Sequence, residues 1–293
     1  MIRLGTRGSP LALAQARLVA RALGGEVEVM PIATSGDRSR GAALDKSRFV
    51  KELEEALLAG EVDLAVHSAK DVPSELPSGL SIVGVPQRAD PRDTLCGASS
   101  LEELPHGAAV GTSSLRRRAQ LLALRPDLEV RELRGNVDTR LRRLAEGDFA
   151  AIVLAQAGLD RLGRGAEGTR LPELVPAPGQ GCLALEACTD DARVAAAAGA
   201  LTDRAALACL TAERALVEGL GATCRTPIGA HAELEDRRLR LTAFAGMPDG
   251  SHWIRDVHEG DPDDPAALGR TVAERLEGAG ARELLDAAEA AAA

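Results

Sequence analysis

Two stretches of the chain repeat one pattern: a short apolar run, a small polar turn, then apolar positions at helical spacing. In the first, IRL leads into GTRGS and PLALAQARLVARAL, with Ser9 placed to cap the helix and Pro10 at its first position. FVKELEEALLAG then reads as a helix ended by Gly60, and VDLAVHS as a strand. In the second stretch, AAVGTSSLRRRAQLLAL, LEVRELRGNVDTRLRRLAEG and AAIVLAQAGLDRLG each read as strand, turn and helix. This alternation predicts parallel βαβ units, in which ligands gather at the C-terminal strand ends against helix N-termini. The last third differs. A helix, DRAALACLTAERALVEGL, leads into the loop GATCRTPIG and the strand-like runs GAHAEL, RLRLTAF and HWIRDVH, followed by one helix over 265–288. That order predicts an α+β unit with a small antiparallel sheet and helices on one face. The boundaries fall at VPQRADPRD, near 86–93, and at LPELVPAPGQG, 171–181.

A length of 293 residues leaves room for two or three such units, each with its own core. The net charge of −9 argues against nucleic acid as a general partner, but the charge is uneven. Residues 111–170 hold twelve arginines, no lysine and eight carboxylates, a local surplus of positive charge suited to a polyanionic or polycarboxylate ligand. The plain alternative is solvated helix faces in an arginine-rich chain, which has only Lys46, Lys51 and Lys70 as lysines. The five cysteines, Cys96, Cys182, Cys188, Cys209 and Cys224, are odd in number and widely spaced. They show no metal-ligand spacing, so the expectation is a reducing, cytoplasmic setting without a metal site. No run approaches the roughly eighteen apolar residues of a membrane span, and no signal peptide is expected.

Chemistry-bearing residues recur at the predicted strand ends. AVHSAKDVP places Ser68, Lys70 and Asp71 there, although an ordinary polar turn capped by Asp71 explains the same residues. GTSSLRR offers Thr112, Ser113 and Ser114 at a helix start with Arg116 and Arg117 following. Free backbone N–H groups, hydroxyls and guanidinium groups together make an anion site, and capping alone needs one hydroxyl. LRGNVDTRL adds Arg134 and Arg140, AQAGLDRLG adds Arg161, and GTRGS adds Arg7 and Ser9. Several charge-assisted bonds of about 1.5–3 kcal/mol each would hold a ligand with many carboxylates. No P-loop, GxSxG, HExxH or GxGxxG pattern is present.

AVHSAKDVP, ADPRDTL, GTSSLRR, LRGNVDTRL, the PGQG turn and the Cys-x-x-Pro-Ile-Gly loop, in this order along nearly the whole chain, resemble the porphobilinogen deaminase (hydroxymethylbilane synthase) family. The resemblance implies an α/β fold of two periplasmic-binding-protein-like βα domains with a cleft, plus a C-terminal α+β domain carrying the cysteine loop. The corresponding segments are 1–86 with 182–200, 91–176 and 204–293. It implies a transferase that condenses four porphobilinogen molecules with loss of ammonia on a dipyrromethane cofactor, held by a thioether to Cys224, and then releases hydroxymethylbilane with water. Asp71 aligns with the catalytic aspartate, whose carboxylate would stabilise the cationic azafulvene formed as ammonia leaves. Ser68, Lys70, Thr112, Ser113, Ser114, Arg116, Arg117, Arg134 and Arg140 align with cofactor-binding positions. Arg7, Ser9 and Arg161, with Lys46, Arg48 and Phe49 of the lid region, align with substrate-binding positions. The implied protein is a cytoplasmic monomer with porphobilinogen as its small-molecule partner, without nucleic acid, membrane or metal.

Two departures stand out. Ala222–Thr223 replaces the Gly-Gly that commonly precedes the family's cysteine, which bears on a loop where glycine supplies positive φ. LDKSRFVKEL, at 44–53, is shorter than the family's glycine-containing lid. The competing readings are a two-lobed solute-binding module without chemistry and a family member that has lost activity. The cysteine loop and the missing export signal count against the first, and the intact Asp71 and Cys224 against the second.

Overall fold

The structure is a computed structural model that describes residues 1–34, 47–223 and 226–291, and of 47–49 the backbone alone. Lys46 and Cys224 lie outside the described residues, as do the side chains of Arg48 and Phe49. The chain forms two compact units, residues 1–89 with 181–207 and residues 90–180 with 208–293.

In the first unit, strands β1 (Ile2–Arg7), β2 (Val27–Ile32), β3 (Leu64–Ser68), β4 (Leu80–Gly84) and the later β10 (Leu183–Cys188) form a sheet of order β2-β1-β3-β10-β4. Helix α1 (Pro10–Leu23) follows β1 as the sequence predicts: Pro10 opens it, and the Ser9 hydroxyl accepts from the Ala12 N–H. Helix α2 (Ser47–Leu58) precedes β3, and α6 (Ala192–Gly199) follows β10. Leu4, Ala16, Val19, Leu64, Val66 and Leu185 fill one face of this sheet, while Leu53, Ala56 and Leu57 of α2 cover Ala65 and Leu80 on the other.

The second unit repeats the topology. Strands β5 (Asp93–Cys96), β6 (Ala109–Gly111), β7 (Glu129–Arg131), β8 (Ala151–Ala155) and β9 (Thr169–Leu171) run in the order β7-β6-β8-β5-β9. Helices α3 (Leu115–Leu124), α4 (Val137–Ala145) and α5 (Gln156–Arg161) each follow a strand. Both sheets are mixed rather than purely parallel. β10 pairs antiparallel with β3 and β4, and β5 pairs antiparallel with β8 and β9. The reason is connectivity: each antiparallel strand comes from outside its unit's run of βα repeats, so no right-handed crossover fixes its direction.

The same unit carries the small sheet β11 (Ile228–Glu235), β12 (Arg238–Gly246) and β13 (Trp253–Gly260), antiparallel throughout. Ile228, Ala230, Leu239, Leu241 and Ala243 on one of its faces pack against α7 (Arg204–Gly219), α8 (Pro265–Gly278) and α9 (Ala281–Ala291). The single helix expected over 265–288 is therefore two. Gly280 takes φ +90°, a left-handed conformation that cannot continue a helix, and α9 restarts beyond it.

Candidate active site

In the first unit the parallel strands β1 and β3 end on one edge. Arg7 ends β1, and Ser9 caps the helix that follows. β3 ends at Ser68, whose hydroxyl is 2.9 Å from Gln15 Nε2 on α1, and the chain turns at once into a single 3-10 turn, Ala69–Asp71. The Ala69 N–H donates to the Cys182 carbonyl, which fixes the turn at the sheet edge. Lys70 and Asp71 are both half-buried on this turn. Among the described residues the Asp71 carboxylate has no hydrogen bond or ion pair, so its acceptors stay available to a ligand. Val72 is extended ahead of Pro73, so the turn does not grow into a helix.

In the second unit the strand ends of β6, β7 and β8 likewise share one edge. Of the three hydroxyls after β6, each does something different. Ser114 is the helix cap, accepting from the Arg117 N–H, and Thr112 Oγ1 accepts from the Ser114 N–H. The Ser113 hydroxyl makes no hydrogen bond among the described residues. One hydroxyl thus suffices for capping, and Ser113 is left for a ligand.

Arg116 and Arg117 begin α3 and turn inward, 4% and 6% exposed, onto Asp93 of β5, which is fully buried. Arg116 Nη1 donates to Asp93 Oδ2 at 2.7 Å and to the Val175 carbonyl at 2.6 Å. Arg117 grips Asp93 Oδ1 through Nε at 2.9 Å and Nη2 at 2.7 Å, while its Nη1 donates to the Val153 carbonyl. Gln180, from the PGQG turn, donates to the same Oδ1 at 2.9 Å and to the Pro91 carbonyl. Burial by itself would raise the Asp93 carboxyl, but the Arg116 and Arg117 charges with the Arg116 and Gln180 hydrogen bonds outweigh it and hold it well below the ordinary carboxylate range. Sequence reasoning missed both Asp93 and Gln180. They lie in the quoted motifs ADPRDTL and PGQG, but nothing local marks them as the counter-charge of residues more than twenty positions away.

Two positive groups remain under-satisfied. Arg116 Nε is buried without a hydrogen-bond partner among the described residues, a rare and costly state for a charged donor. Arg140, in α4, spends Nε on the Gly135 carbonyl. Desolvation first, and the charge of Arg117 second, lower its guanidinium to about 10, with no carboxylate raising it. A buried cationic donor and a second guanidinium crowded by a third fit a ligand bearing carboxylates, and so fit the pyrrole acids of a dipyrromethane group. Arg134 is exposed and paired with Glu132 at 2.7 Å, and Arg161 sits in the last turn of α5.

Thr223 and Thr226, to either side of the undescribed residues 224–225, are held by hydrogen bonds. The Thr223 and Thr226 hydroxyls donate to one oxygen of Glu289 on α9, at 2.8 and 2.5 Å, and the Thr223 N–H donates to Thr226 Oγ1. Positive φ falls on Gly221, at +59°, and not on Ala222 or Thr223, so the replaced glycines are not required by the backbone here. Buried Glu213 of α7 stitches the preceding turn to β11, accepting from the Gly179 and Ala232 N–H groups at 2.7 Å each. Among the described residues the cysteines form no disulfide: Cys96, Cys182 and Cys209 are buried and Cys188 half-buried. Burial pushes the Cys96 thiol up to about 11 and raises Cys188 too. Among the described residues no cluster could hold a metal, and no single helix is long and apolar enough to cross a membrane.

Comparison with known proteins follows the same residues. The family model described as porphobilinogen deaminase, dipyromethane cofactor binding domain, matches residues 2–196, and that of the porphobilinogen deaminase C-terminal domain matches residues 207–278. The chain is 50% identical to the porphobilinogen deaminase of Roseiflexus castenholzii, covering 97% of this chain and 98% of that protein. It is 47% identical to that of Thiobacillus denitrificans, covering 98% of each. For the Thermus thermophilus protein the identity is 48%, covering 97% and 98%. Among solved structures, the second substrate binding domain of a putative amino acid ABC transporter from Streptococcus pneumoniae aligns with a TM-score of 0.41 at 12% identity, covering 75% of this chain and 94% of that one. Two family domains placed end to end, and relatives near half identity over their full length, settle the descent of these edges and loops: the chain belongs to the porphobilinogen deaminase family, enzymes of tetrapyrrole biosynthesis with a dipyrromethane cofactor-binding domain.

Proposed function

We propose that this chain joins four porphobilinogen molecules head to tail, losing one ammonia per step, on a dipyrromethane primer attached through a thioether to Cys224, and then releases hydroxymethylbilane by hydrolysis. The observation that carries this reading is the Arg116 guanidinium, buried and tethered through Nη1 to Asp93 while its Nε has no partner among the described residues. Such a donor is stabilised by an anionic ligand and is destabilising without one. When bound, the dipyrromethane supplies the pyrrole carbon to which the first substrate joins.

The chain's own residues supply the rest. Arg116, Arg117, Arg134 and Arg140, with Thr112, Ser113, Ser114, Ser68 and Lys70, are the residues that bind the primer. Arg7, Ser9 and Arg161 take the acetate and propionate arms of the incoming substrate, together with Lys46, Arg48 and Phe49. Asp71 holds a carboxylate where the substrate's pyrrole N–H becomes acidic and positive charge develops as ammonia departs, an interaction stronger in the transition state than in the ground state. The same carboxylate takes part in proton transfer as the new carbon–carbon bond forms. We read the chain as three domains, 1–86 with 182–200, 91–176 and 204–293, each built on one of the three sheets. We read it also as a cytoplasmic monomer, in line with its five scattered cysteines.

The test is the intact mass of the purified protein with peptide mapping across Cys224. A mass increase of two deaminated porphobilinogen units on that cysteine, present on purification or gained on incubation with porphobilinogen, is the expected result. A thiol that never gains the mass refutes the mechanism and returns a solute-binding module to first place.

A further inference from the structure

A buried polar cluster in the first unit takes no part in the chemistry above. His67 Nε2 on β3 lies 2.9 Å from Glu186 Oε2 on β10, and the two side chains are 2% and 1% exposed. The contact is not a directed hydrogen bond: His67 Nε2, both Glu186 oxygens and Glu54 Oε1 are buried without a hydrogen-bond partner among the described residues. Glu186 stands opposite Ala65 in the β3–β10 ladder, and His67 opposite Ala184. Side chains alternate along a strand, so Ala65, His67 and Glu186 share the face that α2 covers, and α2 brings Glu54. The same helix packs on β1, β4 and the Ala69–Asp71 turn.

The charges around the cluster do not neutralise it. On α2 the neighbours are Glu52, Glu55 and Lys51, the last paired with Glu55 in solvent. β1 offers Arg3, paired with Asp63, and Arg7 at its end; β4 has no charged residue; and the turn carries Lys70 and Asp71. Burial first, then Glu186, raise the Glu54 carboxyl, with His67 opposing and Glu55 adding to the rise. Two ionised carboxylates buried on this face would set like charges against each other, which is costly. A proton on Glu54 removes that repulsion.

We propose that Glu54, His67 and Glu186 are positioning residues for Asp71: His67 against Glu186, with Glu54 of α2 buried over the same face, fastens α2 to β3 and β10 and so fixes the turn that bears Asp71. This rests on Asp71 being the catalytic carboxylate. When Glu54 loses its proton, the repulsion from Glu186 loosens α2 and the turn it packs on. The sign follows from linkage. A carboxyl raised in the folded state contributes stability that is complete below the ordinary glutamate value of 4.5 and is lost as pH rises through the folded value.

The test compares cofactor-loaded wild type with Glu54→Gln, which is neutral at every pH, and with His67→Asn. Melting temperature and kcat are followed from pH 5 to 9. Wild type should lose melting temperature and kcat toward alkaline pH, and Glu54→Gln should flatten both curves over that range. His67→Asn should lower kcat about tenfold or more while KM stays within about threefold, the pattern of lost positioning rather than lost binding. Parallel curves for wild type and Glu54→Gln overturn the proposal. If His67→Asn does not fold, the Glu54→Gln comparison alone decides. The melting curves need no turnover, so they judge the cluster even if Asp71→Asn proves active and the assignment of Asp71 fails.

Discussion

Removing the Asp93 carboxylate is the most severe single test of how the second unit is held together. In Asp93→Ala, Arg116 and Arg117 keep their charge in a site where they are 4% and 6% exposed; Arg117 Nε and Nη2 lose their acceptor, and Arg116 Nη1 and Gln180 Nε2 lose one of two. Breaking a buried ion pair from one side costs about 3–5 kcal/mol, because the partner charge stays buried and uncompensated. At about 2–4 °C per kcal/mol for a unit of this size, the melting temperature should fall by roughly 6–20 °C. The internal control is Arg142→Ala, which breaks an exposed i,i+4 pair with Glu146 whose side chains are 62% and 49% exposed. That change should cost no more than about 0.5 kcal/mol. The assay is urea and thermal unfolding of both variants beside wild type. The depressed Asp93 carboxyl contributes stability that is complete above the ordinary aspartate value of 3.8 and is lost as pH falls toward its folded value, so the gap between wild type and Asp93→Ala should narrow in acid. A loss below about 1 kcal/mol, the range of a surface pair, would refute the claim that this cluster is a structural keystone.

Further outcomes follow from the two strand edges and the cysteines. Asp71→Asn should fold with an unchanged melting temperature and lose about 10²-fold or more in turnover; wild-type rates in that variant would remove Asp71 from the chemistry. Ser114→Ala should cost about 1 kcal/mol as a lost helix cap. Ser113→Ala should instead leave stability unchanged and slow cofactor assembly, measured as the rate at which unmodified protein gains the cofactor mass on incubation with porphobilinogen; the reverse pattern would assign the two hydroxyls the other way round. In native protein at pH 8, thiol alkylation read by peptide mapping should leave Cys96 and Cys188 unmodified, because burial keeps both as thiols. Rapid labelling of Cys96 would contradict its place in the sheet.

Much of the local structure around the candidate site could be read directly, because each piece is local. GTSSLRR and AVHSAKDVP carry their strand, turn and helix start within a few residues, and α1, β3, α3 and the three strands of the small sheet all form where the pattern puts them. Other features could not be read this way. The antiparallel strands β5 and β10 are too short to show their direction, and Leu183–Cys188 pairs with residues more than a hundred positions earlier. The break falls at Gly278–Ala279–Gly280, but the helix formers on both sides, AERLE and ARELLDAAEA, let the periodic pattern read across it.

The sequence by itself determined the alternation of strands and helices, the strand edges where the candidate residues stand, and the family, since these depend on spacing, caps and ordered motifs. Tertiary structure alone decided which arginines are spent and which are not. Arg116 and Arg117 look alike in LRRR, yet they are bound to Asp93 by chain segments that meet only in the folded unit, and Arg116 keeps one buried donor to spare. It also brought Glu289 to the threonines beside Cys224, and His67, Glu186 and Glu54 together beneath the Asp71 turn. Counter-charge and desolvation depend on distance through space, and a linear pattern does not contain that distance.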